Sequence, residues 1–181
     1  FYTCRTGSAN DDKRFGTKAV HSGTNPVGGG VNTPVFLSST YHLTDDRYAG
    51  WAAGAQHTLL YSRLSSVNSE AVAAKITSLE GAEDAEVFAS GMAAISTTLL
   101  GILSSGDHII ASPDVYGGTY GLLTEELPRF GIEVTMADIQ DPSSYESAIK
   151  DNTKMIYVET LTNPVLKVCD LEAMANLAKK H

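Results

Sequence analysis

Cysteine is scarce in this sequence, since Cys4 and Cys169 are the only two in 181 residues and lie far apart without CxxC spacing. Two isolated thiols provide neither a disulfide framework nor the ligand spacing of a zinc site. The five histidines show no ligand spacing either, so no metal site is expected. Cysteine usage of this kind is typical of a cytoplasmic protein.

Positive charge is also scarce: the sequence contains 13 Lys and Arg but 21 Asp and Glu, and the net charge is −8 at pH 7. Nucleic-acid and anionic-membrane surfaces need clustered Lys and Arg, so neither partner is expected. No apolar run approaches the roughly 18 residues of a membrane helix. Residues 1–14 lack the apolar centre of a signal peptide. A single site for a small anion remains compatible with this charge, because it needs only a few local donors.

Two nucleotide-binding signatures are missing. Neither GxGxxG nor GxxxxGK[ST] occurs in the sequence, which disfavours a Rossmann dinucleotide site and a P-loop. A nucleotide-binding α/β domain without these motifs is kept as an alternative of a different class.

Residues 1–60 differ in character from the rest of the chain. The stretch GTNPVGGGVNTPVF is rich in Gly and Pro and has no long periodicity. We predict an extended N-terminal arm over 1–60 with short pieces of structure. Such an arm cannot bury its own apolar side chains, so it is expected to pack on another subunit. The side chains concerned are Val35, Phe36, Tyr41 and Trp51.

From residue 67 onward, short apolar runs alternate with helical patterns. This alternation predicts parallel strands joined by crossover helices, and the nearly unbroken apolar strands indicate a sheet that is covered on both faces. The second predicted domain is therefore an α/β parallel-sheet domain over 61–181. Strands are predicted at 85–89, 108–112, 132–137 and 154–160, and helices at 68–81, 91–106, 117–131, 141–151 and 170–181.

Helix boundaries carry their own signals. Asn68 or Ser69 is the expected cap of the first predicted helix, and Gly81 its stop. Asp141 with Pro142, and Asp170, are expected to open the last two helices. Since a further strand is due after the final helix, we expect this chain to be an incomplete part of a longer α/β domain.

Ser90, Gly91 and Met92 stand where the predicted strand 85–89 meets a helix. Ligands of parallel sheets bind at the carboxyl ends of strands, and the first amides of a helix have no partners within it. Gly91 would let a phosphate approach those amides, and Ser90 could add a hydroxyl. The alternative is that Ser90 is only a cap and Gly91 only relieves crowding.

Tyr116 and Asn163 also follow strand ends, and Arg63 is a further candidate. Tyr116 could stack on a planar ring, or pack on the core as a turn aromatic. Asn163 could donate to a ring oxygen, with Glu159 nearby, although Asn-Pro is equally a turn pair. Arg63 could bind a phosphate in bidentate fashion, or be a solvated surface arginine.

Several motifs in this order and spacing resemble the Cys/Met-metabolism family of pyridoxal-phosphate enzymes. This resemblance runs from about residue 14 to 181. It implies pyridoxal 5'-phosphate as cofactor and the large domain of a fold-type I enzyme, similar to that of aspartate aminotransferase. The motifs are LYSR, SLEGAE, ASGMAAI, DVYGGTYGLL and YVETLTNPVLKVCDL.

The resemblance implies two groups of site residues. Gly91 and Met92 would give amides to the cofactor phosphate with Ser90 beside them, and Tyr61 and Arg63 would reach the phosphate of a neighbouring subunit. For the pyridine ring of the cofactor, the resemblance implies that Tyr116 stacks on the ring and that Asn163 contacts its 3-oxygen, with Glu159 nearby. Tyr61 and Tyr116 are the candidate catalytic proton donors.

Three departures from the family pattern matter. Ser66-Val67-Asn68 stands where the family usually has Asn-Pro-Thr. Gly118 stands where the best-known bacterial methionine γ-lyases have Cys. No lysine of this chain matches the family's Schiff-base lysine, and its ring-nitrogen aspartate is also unmatched. We therefore expect this chain alone to be inactive, with the lysine on a companion chain or missing segment.

The function that the resemblance implies is a carbon–sulfur lyase or transferase of sulfur amino acid metabolism. We expect γ-elimination on methionine or cystathionine, as in methionine γ-lyase and cystathionine γ-lyase. The alternative is γ-replacement, as in cystathionine γ-synthase or O-acetylhomoserine sulfhydrylase. A third possibility is a non-catalytic scaffold fragment. An amino-acid substrate and a homotetramer built from dimers with shared active sites are also implied.

Overall fold

The chain divides into two compact units, residues Phe1–Val87 and Phe88–His181. The computed structural model describes residues 13–54 and 58–181, so the predicted arm lies outside the described residues at 1–12 and 55–57. The predicted domain boundary at residue 60 stays a prediction. Among the described residues, no helix combines the length and apolar character needed to cross a membrane.

The described part of the first unit contains three helices. The first of them packs on the third within the same chain: Oγ of Ser22, just after the first helix, lies 2.9 Å from Oγ of Ser78. The apolar side chains of Val35 and Trp51 are at least half exposed. Packing of the arm on another subunit stays a prediction. The helices are α1 (Phe15–His21), α2 (Asp45–Ala52) and α3 (Val67–Glu80).

Helix α3 begins at a different residue from the one predicted. Ser66, rather than Asn68 or Ser69, is its cap: Oγ of Ser66 accepts from the amide of Ser69 at 3.1 Å, and Oγ of Ser69 accepts from the amide of Ser66 at 3.0 Å. Two hydroxyls thus complete a reciprocal capping box that usually ends in Glu or Gln. Gly81 ends the helix with φ of 65°, as predicted.

Asn68 has another role in the first unit. Its Oδ1 accepts from the amide of Phe36 at 2.8 Å, and its Nδ2 donates to the carbonyl of Pro34 at 2.9 Å. The side chain therefore fastens an irregular stretch of the arm to the first turn of α3.

The second unit is built on a three-stranded parallel sheet in the order β2-β1-β3. His108 pairs with Glu133 on one side and with Thr153 on the other. This is part of the predicted α/β domain, and three of the four predicted strands are confirmed. Strands are β1 (His108–Ala111), β2 (Glu133–Met136) and β3 (Thr153–Ile156), and helices are α4 (Gly91–Ile102), α5 (Gly117–Gly121), α6 (Pro142–Ala148) and α7 (Leu171–Lys180).

Alternation along β1 divides the core of this unit into two clusters. Ile109 and Ala111 belong to one cluster and Ile110 to the other, because successive strand side chains point to opposite faces. The first cluster contains Leu99 from α4 and Leu123 from the stretch after α5, among others. The second cluster contains residues of α6 and α7. Helices thus cover both faces of the sheet, as the apolar strands predicted.

His108 is fully buried and joins all three strands. Its Nδ1 lies 2.7 Å from Oγ1 of Thr153 on β3, and its Nε2 lies 2.8 Å from Oγ1 of Thr135 on β2. Burial lowers the pKa of His108, with Lys150 acting in the same direction and Glu133 against it. The sheet therefore contains a neutral imidazole with both ring nitrogens bonded.

The strand predicted at 85–89 is wrong in the described structure. A strand is defined by pairing, and no described strand pairs with this segment. The amides of Ala85 and Val87 bond instead to the carboxylates of Asp84 and Glu86. Helix α4 also ends earlier than predicted, at Ile102, and Gly106 with φ of 93° belongs to the turn before β1.

The helix predicted at 117–131 is confirmed in place but is not regular. The α-helical α5 is followed by a π-helical turn, Leu122–Glu126, and a 3-10 turn, Leu127–Phe130. Pro128 has no amide hydrogen for the carbonyl of Thr124, so the α-helical bonding cannot continue through it.

The caps predicted for the last two helices are confirmed. Oδ1 of Asp141 accepts from the amide of Ser143 at 3.0 Å with Pro142 in the first turn, and hydrogen bonds from Ser143 lower the pKa of Asp141. Oδ1 of Asp170 accepts from the amide of Ala173 at 3.0 Å.

Candidate functional site

Helix α4 begins with two amides that have no hydrogen-bond partner among the residues that the structure describes. Ser90 caps it, and Oγ of Ser90 accepts from the amide of Ala93 at 3.1 Å. In the described part of the chain, the amides of Gly91 and Met92 have no hydrogen-bond acceptor. Because the dipole of a helix favours an anion at its amino end, these two N–H groups are suited to an oxyanion.

Gly91 is not required by the packing of the described residues. A Cβ built there would meet nothing within 4 Å, and its φ is not in the left-handed region. A side chain at this position would thus be accommodated by the described residues, although it would add bulk beside the free amides. This observation favours the functional interpretation of Gly91 over relief of crowding.

Tyr116 stands beyond the carboxyl end of β1, directly before α5, with 49% of its surface exposed. Its amide donates to Oε1 of Glu159 at 3.1 Å. Glu159 follows β3 in the chain, so a carboxylate from the neighbouring strand end holds the backbone of Tyr116. The structure thus brings two of the predicted residues into contact.

The Tyr116 ring lies over Gly118 and beside the start of α4. A Cβ at Gly118 would lie 2.7 Å from Cε1 of Tyr116 and 3.2 Å from Sδ of Met92. The hydroxyl of Thr119 donates to the same sulfur at 3.8 Å. The predicted phosphate end and the predicted ring-stacking residue therefore meet in one unit, around Met92.

Asn163 lies at the tip of a short hairpin, residues 160–169, which we call the Asn163 hairpin. Leu161 and Val168 form an antiparallel bridge, and the amide of Cys169 donates to the carbonyl of Thr160 at 3.1 Å. Asn163 is exposed and precedes a cis proline. It is thus presented at the end of a hydrogen-bonded support.

Three residues beside the site were not among the predicted site residues. Asp114 accepts from Nζ of Lys167 at 2.6 Å, and this bond raises the pKa of Lys167. Lys167 is therefore a charged ion-pair partner and not a free amine, in agreement with its exclusion as the Schiff-base lysine. The third neighbour is Tyr157, whose pKa is raised by burial. Of these three residues, only Asp114 could have been found from the sequence, because it follows a predicted strand.

Tyr61 and Arg63 lie in the first unit, and each unit is described by itself. The guanidinium of Arg63 lies 4.9 Å from the centre of the Tyr61 ring. Tyr61 bridges to Thr40 of the arm, and the amide of Ser62 donates to the carbonyl of Ser39 at 2.8 Å. Within residues 13–54 and 58–181, Arg63 has no carboxylate partner. The pair therefore presents a cation without a counter-ion in the described part of the chain.

Comparison with known proteins decides the family. The family model for Cys/Met metabolism PLP-dependent enzymes matches residues 16–181. The chain belongs to this family. Its resemblance to the family is thereby confirmed, and so is pyridoxal phosphate as the cofactor on which the family depends.

Individual relatives agree with this assignment. The chain is 37% identical over 169 residues to an L-methionine gamma-lyase of Porphyromonas gingivalis, covering 92% of the chain and 42% of the relative. It is 43% identical over 152 residues to a cystathionine gamma-lyase of Bacillus subtilis, covering 84% and 38%. A Campylobacter jejuni structure holding pyridoxyl-lysine monophosphate superimposes with a TM-score of 0.85 at 34% identity, covering 94% and 43%.

The chain thus spans about two fifths of the length of these relatives. The similarity to solved members confirms the predicted partial fold-type I domain. The relatives carry out different reactions, so they support the family without selecting one reaction. The roles of the individual site residues stay predictions.

Proposed function

We propose that this chain provides the phosphate-binding and ring-binding part of a pyridoxal-phosphate-dependent carbon–sulfur lyase. The proposed reaction is γ-elimination on methionine or cystathionine. Support comes from family membership and from relatives that are methionine and cystathionine gamma-lyases.

The main support is the pair of amides at Gly91 and Met92, which have no acceptor among the described residues and lie near Tyr116. An acyclic anion needs only the amides, but a flat ring with an attached phosphate needs both features close together. Met92 connects the two features. Its amide has no acceptor among the described residues, and its sulfur lies near the place where Tyr116 and Gly118 meet. The described residues therefore fit the cofactor.

Each residue has a binding role in this proposal. The amides of Gly91 and Met92 and the hydroxyl of Ser90 hold the phosphate, while Arg63 acts on the phosphate of a neighbouring subunit. Tyr116 stacks on the ring. Glu159 and Asn163 lie on the side of the ring oxygen, where Asn163 donates a hydrogen bond.

When bound, pyridoxal phosphate supplies an electron sink for the carbon next to the substrate amine. Departure of a γ-thiolate also requires a proton donor near the sulfur. Tyr116 and Tyr61 are the proposed donors, since the former would lie against the ring and the latter would face the substrate. The proton is carried at the phenol oxygen in either case.

The reaction needs a Schiff-base lysine from outside residues 1–181. Lys167 cannot replace it, because its ammonium is bound by Asp114. The proposed assembly is a cytoplasmic homotetramer, a dimer of dimers with shared sites. A companion chain or further segment would bring the lysine.

Three alternatives predict different measurements. A γ-replacement enzyme would form a thioether from an activated homoserine and a thiol, whereas a γ-lyase releases a 2-oxo acid and ammonia. A scaffold fragment would bind no pyridoxal derivative. A nucleotide-binding domain would bind nucleotides in preference to pyridoxamine phosphate.

A glycine pair tests the proposal. Pyridoxamine 5'-phosphate is a suitable probe because it has the ring and phosphate but cannot form Schiff bases with surface lysines. Gly91→Ala keeps the amide but adds a methyl group where the phosphate would approach it, so binding should weaken at least about tenfold. The matched control is Gly101→Ala, on the same helix and also without neighbours within 4 Å.

Calorimetric titration distinguishes the outcomes. The control should bind the probe as the unchanged protein does. Equal affinity of the two variants, or no binding by the unchanged protein, would contradict the proposal.

A further inference from the structure

Lys167 is connected to the Asn163 hairpin through its backbone. Its amide donates to Oγ1 of Thr162 at 2.9 Å, and its carbonyl accepts from the amide of Thr162 at 3.0 Å. Thr162 is fully buried, and the amide of Leu166 donates to its carbonyl at 3.0 Å. These bonds close the tip of the hairpin between residues 162 and 167, so the position of Lys167 and that of Asn163 are coupled.

The side chain of Lys167 leaves the hairpin and reaches the segment that carries Tyr116. We call residues 112–118 the Tyr116 loop. Asp114, two residues before Tyr116, accepts from Nζ of Lys167 at 2.6 Å. The side chains of Lys167 and Asp114 are 35% and 21% exposed, so the ion pair is partly shielded from solvent. Such a pair is screened less than one in open solution.

A second contact holds the Tyr116 loop from the same strand end. Glu159, directly before the Asn163 hairpin, accepts from the amide of Tyr116. The loop is thus attached at Asp114 and at Tyr116, both times to the segment that follows β3. Two separate attachments oppose rotation of the loop, which a single one would permit.

We propose that Lys167 and Glu159 are positioning residues that clamp the Tyr116 loop to the Asn163 hairpin. The clamp fixes the distance between Tyr116 and Asn163. This inference rests on the proposed function, in which those two residues contact the two sides of one pyridine ring. Neither clamp residue needs to touch the substrate for this role.

A comparable ion pair lies at the amino ends of the strands, opposite the ends that carry Tyr116 and Glu159. Nζ of Lys150 lies 3.1 Å from Oε2 of Glu133, the first residue of β2, and the side chains are 48% and 55% exposed. Lys150→Met therefore removes the same charge as Lys167→Met, but away from the strand ends that carry Tyr116 and Glu159. Lys167→Arg keeps the cation and serves as the conservative rescue.

Amide exchange by NMR measures the clamp directly. In Lys167→Met we expect the amide of Tyr116 to exchange at least about fivefold faster, because local opening becomes easier. Lys150→Met should change it less than about twofold, and Lys167→Arg should restore most of the protection. Asp114→Asn is a second variant that breaks the same pair from the other side, should Lys167→Met fold poorly.

Pyridoxamine phosphate binding supplies a readout that general stability would not move. Lys167→Met should bind the probe several-fold more weakly and Lys167→Arg nearly normally, while Lys150→Met should be unchanged. Unchanged exchange at Tyr116 in both Lys167→Met and Asp114→Asn would overturn the clamp. An equal effect of Lys150→Met would overturn it as well. Faster exchange without probe binding by any form of the protein would keep the clamp and contradict the proposed function.

Discussion

A Cβ on Gly118 would lie 2.7 Å from Cε1 of Tyr116. The ring of Tyr116 therefore occupies space that only a glycine at 118 leaves free. Because the contact is with the edge of a side chain that can rotate, the ring and not the backbone would yield to a substituent.

Gly118→Ala should thus displace the Tyr116 ring with little loss of stability. We expect the free energy of unfolding to change by less than about 1 kcal/mol, while the affinity for pyridoxamine phosphate falls several-fold. Gly117→Ala is the control, since a Cβ there meets nothing within 4 Å. Urea unfolding and calorimetric titration measure the two quantities. Equal affinities for Gly117→Ala and Gly118→Ala would show that the ring position does not matter.

His108 predicts how stability depends on pH. Its pKa is lowered in the folded protein from the ordinary value of 6.5, mainly by burial. Below about pH 6.5 the unfolded chain therefore binds more protons than the folded one, and the free energy of unfolding falls. Above that pH, His108 contributes no pH dependence.

Urea unfolding between about pH 5 and pH 8 checks this effect. His108→Asn should be less stable at every pH, because Thr135 and Thr153 lose a partner, but should show a flatter profile below about pH 6.5. A variant with the same slope as the unchanged protein would rule out His108 as the source.

Gly23 tests the packing of α1 on α3. It has φ of 69°, and a Cβ there would lie 2.1 Å from the carbonyl oxygen of Ala71. Gly81 has φ of 65° but no neighbours within 4 Å, so Gly81→Ala carries the backbone strain alone, about 1–2 kcal/mol. Gly23→Ala should cost clearly more, measured by thermal unfolding. Similar losses for both would mean that α1 is not held against α3.

Asn68 tests the attachment of the arm. Asn68→Ala removes the acceptor for Phe36 and the donor to Pro34, so we expect a loss of about 1–3 kcal/mol and faster exchange at the Phe36 amide. Asn68→Asp keeps the acceptor and should retain that protection. If exchange at Phe36 is the same in Asn68→Ala as in the unchanged protein, the hydrogen bonds of Asn68 do not stabilise the arm.

The sequence predicted best where a local signal was sufficient. Asp141 with Pro142 identified the start of α6, and the apolar run at 108–112 identified β1. The run at 85–89 has the same character, yet it forms no strand among the described residues, because a strand depends on a partner that local sequence does not reveal. In the same way, Pro128 indicated a helix end but not the π-helical turn before it.

For the candidate site, too, local signals identified individual residues but not the contacts between distant parts of the chain. Ser90, Gly91 and Tyr116 could be proposed because they follow predicted strands, and Glu159 because it stands near the end of one. The partner of Lys167 could not, since Asp114 is 53 residues away in the chain and only the parallel sheet brings the two strand ends together.

The most direct measurement is the NMR shift of the Gly91 and Met92 amide protons on addition of pyridoxamine phosphate. We expect both protons to move downfield as they bond to the phosphate, and pyridoxamine without phosphate to leave them in place. If the probe binds while these two resonances stay unchanged, the cofactor phosphate is held elsewhere and the proposed site is wrong.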